Sequence, residues 1–235
     1  MSNLKLVDRA SEVQQLIKDA IVLGRGITQV NESDVYSSIR EGINELNRKD
    51  GDSEKALGIF FDALTASGGN KELQAWCLAN LGDWVSKILK SQELAHSILE
   101  QAFCLTKKRF IQSKIRCMQA GIAINCLSES NEDKDKIISA LIDCEKYAVE
   151  AIAFAGLASN VAEILQAESE ALSMLVNNLL RYALPKYQTG VIGLIDDYLE
   201  VLSGLAGTSE VSYQEEINKF IGLRTACFSQ FIPSK

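Results

Sequence analysis

Gly51-Asp52-Ser53-Glu54-Lys55-Ala56-Leu57, followed by Phe60 and Ala63, is the stretch on which the fold turns. Gly-Asp-Ser is turn and capping chemistry: a glycine frees the backbone, and a side-chain oxygen takes up the open amides of a new helix. Ala56, Phe60 and Ala63 then recur as small, large, small at spacings of four and three, placing them on one face of that helix. Small residues on such a face let a second helix approach closely. The same small, large, small spacing returns at Ala95, Leu99 and Ala102, preceded by Leu78, Leu81 and Gly82 on the helix before it.

Working outward, apolar residues recur at three and four almost throughout, as in Leu78, Leu81, Val85, Ile88 and Leu89, and no segment sustains the period-two alternation of a strand. The chain therefore reads as all-α. Breaks with capping or turn residues fall near Gly24 to Asn31, Asp50 to Ser53, Gly68 to Asn70, Ser91, Thr106 to Lys108, Ser128 to Asp133, Gly156 to Ser159, Pro185 and Gly204 to Ser209, which gives about ten helices. Short turns between amphipathic helices make neighbours antiparallel, so the expectation is a stack of helical hairpins. The best pair runs over about 71–89 and 92–106, and the preceding pair over about 34–48 and 53–66.

These positions resemble the tetratricopeptide (TPR) repeat. Leu78, Leu81 and Gly82 match that family's large, large, small pattern in the first helix, and Ala95, Leu99 and Ala102 its small, large, small pattern in the second. The turn between them is one residue longer than the family's. In the preceding unit Ile43 takes the large position, with Asn44 where the family prefers glycine. The resemblance covers about residues 34–106. Beyond 107 it decays, with Gly121 and Ala140 as candidate equivalents. It implies a single domain over 1–235, a TPR-like α-solenoid whose residues 107–235 form divergent hairpins. The alternatives are another helical solenoid or a closed helical bundle. Phe220, Ile221, Leu223, Phe228, Phe231 and Ile232 make the last helix apolar enough to cap the stack or to form a homodimer.

Composition narrows the function classes. The 235 residues are 47% hydrophobic and 23% charged with two prolines, a globular composition. Met1-Ser2-Asn3-Leu4-Lys5 does not open a signal peptide, and no apolar run is long enough for a membrane span. Cys77, Cys104, Cys117, Cys126, Cys144 and Cys227 form no CxxC pair, so a reduced, cytoplasmic protein with no structural metal is expected. The net charge of −7 is uneven. Residues 129–216 are strongly acidic, whereas residues 101–128 carry Lys107, Lys108, Arg109, Lys114 and Arg116 and no acid. An acidic protein of this kind is a poor nucleic-acid binder.

No group of side chains builds a convincing active site. His96 is the one histidine, and Glu93-Leu94-Ala95-His96 has the spacing of one half of a di-iron site, with no second histidine to complete it. Gly24-Arg25-Gly26 lacks the following lysine of a phosphate loop. Asp196-Asp197 with Glu200 reads as a solvated helix face. The expectation is thus no enzyme and no cofactor, but an adaptor, scaffold or regulator that binds another protein through an acidic or amphipathic segment. The rival is a helical-bundle enzyme or a small-ligand or metal sensor. Carrying the TPR alignment over residue by residue puts groove-lining positions at Trp76, Ala79, Asp83 and Ser86. Arg109 and Arg116 share one stripe opposite Ile111, Ile115, Met118 and Ile122, expected to face away from the core and offer guanidinium groups to an acidic partner.

Overall fold

The structure, a computed structural model, describes residues 3–129, 143, 146, 147, 150, 153, 154, 161–182, 188–206 and 213–230. All regular structure among them is helical. In chain order the helices are α1 (Asn3–Gly24), α2 (Glu32–Asn47), α3 (Ser53–Ala66), α4 (Lys71–Trp84) continued by a π-helical turn (Val85–Leu89), α5 (Gln92–Leu105), α6 (Arg109–Glu129), α7 (Val161–Tyr182), α8 (Gln188–Ala206) and α9 (Gln214–Gln230). The expected breaks at 128–133 and 156–159, the residues around Pro185, and Ala140, Phe231 and Ile232 lie outside the described residues or at their edge.

Side-chain caps start α3 and α4 where the sequence places them, whereas Asn31 and Ser91 precede α2 and α5 without a side-chain cap hydrogen bond. Asp52 accepts hydrogen bonds from the amides of Glu54 and Lys55 at 2.9 and 3.1 Å, so Asp52 is the cap of α3 and Ser53 its first residue. Asn70 caps α4 in the same way through Glu72 and Leu73. The turn before α3 is held by Glu45, whose side chain is nearly buried and accepts from the Asp52 amide at 2.9 Å. That amide, with Arg48 and Lys55 nearby, keeps the Glu45 carboxyl below the usual range.

α2 packs on α3 and α4 on α5, and the pairs join through α3 on α4 and α2 on α4; α6 continues by packing on both α5 and α4. Glycine sets the closeness of each pair. A methyl placed on Gly82 would stand 2.9 Å from Leu99 Cγ, and one on Gly42 would stand 2.5 Å from Phe60 Cε1. In the first pair the close contact is therefore made by Gly42, two residues before Asn44, which is exposed. The longer Arg48–Asp52 turn accommodates the difference. Gly121 makes no such approach, as a methyl there would meet no described atom within 4 Å.

The extra residue between α4 and α5 has a definite place. Widening the last turn to the π pattern takes up one residue per turn, and Lys90 then turns the chain in the left-handed conformation at φ 55°. Trp84 anchors this end of the pair, fully buried with Nε1 donating to the Ser53 carbonyl at 2.7 Å.

α1 departs from simple hairpin order. It packs chiefly on α3, touches the π turn, and lines a groove with α5, burying Val13, Ile17 and Ala20 at i, i+4, i+7 spacing. It thus crosses the second helices of the two pairs. One core runs from Val13 to Ile122 through α1–α6, and a separate one from Leu165 to Cys227 through α7–α9.

Candidate partner-binding surface

α4 packs on both α2 and α6, and Trp76 lies at the seam of α4 with α6. Trp76 is half-buried, its ring 6.3 Å from that of Phe110 on α6. One turn further along α6 the Lys114 ammonium stands 5.2 Å from the Phe110 ring centre and pairs with Glu170 of α7. Trp76, Phe110 and Lys114 therefore make a continuous strip across two helices. Along α4, Asp83 is half-buried and pairs with Lys87 at 2.7 Å, and Lys87 also reaches Asn47 of α2 at 3.3 Å. Of the groove positions implied by the repeat alignment, Trp76 and Asp83 keep solvent access. Ala79 and Ser86 are buried, and the Ser86 hydroxyl meets Gln92 at 3.5 Å.

Of the two arginines, Arg109 is exposed, whereas Arg116 departs from the solvent-facing expectation. They do share one stripe, whose Arg116 end is covered by α5 and by residues 147 and 150. Arg116 is only 11% exposed, its guanidinium 3.8 Å from the Phe103 ring centre, bound to Glu100 at 2.5 Å and Gln119 at 2.6 Å. Its Nε lies 2.7 Å from Glu150, close enough for an ion pair but without the alignment of a hydrogen bond. Arg109 sits 5.4 Å above the Phe154 ring and donates to Gln112 at 2.9 Å. The acidic partners of Arg116 are thus supplied within the chain. The helical pattern could not show this, because the covering residues lie on a distant stretch of the sequence.

The only histidine joins this cluster. His96 is half-buried, its ring 5.6 Å from that of Tyr147. Burial holds its pKa below the ordinary value against the opposing pull of Asp143 and Glu100, with Arg116 adding to the lowering. Burial works to raise Glu100, yet hydrogen bonds from Gln119 and Arg116 outweigh it and hold that carboxyl low. Burial raises the Tyr147 phenol, with Glu100 adding to the effect. A low imidazole beside a paired guanidinium is a packed polar joint.

Other candidates resolve similarly. Asp196 pairs with Arg224 through two contacts, at 2.5 and 3.3 Å, while Asp197 and Glu200 edge an open depression with Val201, Gly204 and Leu205. Among the described residues no three His, Cys, Asp or Glu side chains converge as a metal site, and no helix is long and apolar enough to cross a membrane. Cys77 is buried and its thiol is pushed up to about 12 by burial, so it carries no thiolate near neutrality. Compared with known proteins, the chain matches no family model, no curated protein and no solved structure.

Proposed function

We propose that the chain is a non-enzymatic adaptor or regulator that binds a segment of another protein on the α2–α4–α6 surface, with Trp76 as the central anchor. The observation that carries this reading is the strip of Trp76, Phe110 and Lys114: two half-buried aromatic rings beside a charge, lying across the seam of two helices. Such surfaces concentrate binding energy in a few preformed anchors. The TPR-like reading of 34–106 is supported by the recurrence of glycine against a large side chain, Gly42 with Phe60 and Gly82 with Leu99, and by the packing of α2 on α4 and α4 on α6. Divergent hairpins after 107, closed by α9, extend the same reading. α9 buries Phe220 and Cys227 and exposes Ile221 and Phe228, which leaves it a face for a second copy.

A cytoplasmic setting agrees with six cysteines free of CxxC pairing. The test is affinity capture from native lysate with wild type and Trp76→Ala. A partner lost by the folded variant supports the reading. If no partner is retained and divalent metals or metabolites raise the melting temperature instead, the chain is a ligand-binding bundle.

A further inference from the structure

The Lys114–Glu170 pair is unequal in a way that suggests what the partner carries. The Lys114 side chain is 8% exposed and that of Glu170 45% exposed. A covered ammonium needs an anion beside it, whereas a half-solvated carboxylate gives up little when it swings into water. The two residues also belong to different halves: Lys114 lies on α6, which contributes to the first core, and Glu170 on α7, which belongs to the second. Glu170 has an alternative neighbour on its own helix, Gln166, whose amide reaches it at 3.4 Å.

Resting on the binding surface proposed above, we propose that Trp76, Phe110 and Lys114 recognise an acidic amphipathic helix of a partner protein, and that Glu170 holds the carboxylate position until the partner's own carboxylate displaces it. Exchange of one carboxylate for another at Lys114 is close to neutral, so apolar contact with Trp76 and Phe110 decides the outcome. The charge specifies the partner and the rings hold it.

The test uses the full chain and a short fluorescein-labelled helical peptide of leucine and glutamate at three and four spacing, followed by anisotropy. Glu170→Gln leaves Lys114 in place without its carboxylate, so the melting temperature of the variant is matched against wild type before binding is compared. The expected result is binding at least tenfold tighter to Glu170→Gln than to wild type, lost when glutamines replace the peptide glutamates. Equal affinity for the two proteins, or equal binding of the two peptides, overturns the proposal. A partner captured from lysate in a Trp76-dependent way would then still support the surface while refuting its acidic specificity.

Discussion

Gly82 lies directly against Leu99, close enough that one methyl group on the glycine would come 2.9 Å from Leu99 Cγ and 3.4 Å from the Ala95 carbonyl. Gly42 and Phe60 repeat the relationship one hairpin earlier. Overpacking of this kind costs about 1–3 kcal/mol, outweighing the roughly 1 kcal/mol that alanine gains over glycine in a helix. Gly82→Ala and Gly42→Ala should each lower the melting temperature by several degrees. Gly58→Ala in α3, where a methyl meets nothing within 4 Å, should leave it unchanged or raise it. Calorimetry of the three variants decides the matter.

Asp52→Ala removes the acceptor of two amides at the start of α3. A lost cap costs about 1 kcal/mol. Urea titration should show that loss for Asp52→Ala and a smaller one for Asp52→Asn, which keeps an acceptor oxygen. Equal losses in the two variants would assign the effect to charge.

Arg116→Met leaves Glu100 and Glu150 facing an apolar chain and strips the cation from Phe103 and Tyr147. Breaking a fully buried pair costs about 3–5 kcal/mol, and because both carboxylates are partly solvated the expected loss here is about 2–3 kcal/mol. Arg116→Lys restores the charge but not the flat face, and should recover only part of it. Arg116→Glu would therefore report on folding, which makes Trp76→Ala the cleaner probe of partner binding.

His96 carries a pH dependence with a definite sign. Its folded pKa is depressed below 6.5, so as pH falls through that value the unfolded chain takes up a proton that the folded chain resists. Stability from this group is full above the unfolded pKa and declines as pH drops below it. His96→Gln should flatten the slope of unfolding free energy just below pH 6.5. Glu100, held low, adds a second decline at more acid pH, through and below its ordinary 4.5, which the His96 variant should keep. An unchanged slope in His96→Gln would place the titration elsewhere.

Much of the architecture was legible because it is written locally. The three-and-four recurrence of apolar residues and the caps at Asp52 and Asn70 need only neighbours in sequence, and they place α3 to α6 within a few residues. What was hidden depends on contacts across the chain. Glu100 and Glu150 take Arg116 into an internal joint, and α1 lies across α3 and α5 because of a buried stripe whose target no spacing reveals. The Gly42 contact was missed because a longer turn shifts the pairing of α2 with α3 by two residues. Ser86 shares its helix face with Asp83, yet it lies within the π turn at 85–89 and is buried. A visible signal existed for the strip itself: Phe110 and Lys114 are four apart, one helical turn, beside a helix that carries Trp76.

The central claim is that a partner lies along α4 and α6. The most direct measurement is hydrogen exchange of the chain alone and in complex with its captured partner. The account predicts added protection confined to the segments containing Trp76, Asp83 and Phe110 through Lys114, together with release of α7 around Glu170. Protection centred instead on the α1–α5 groove or on α8 and α9, with the Trp76 segment unchanged, would contradict it.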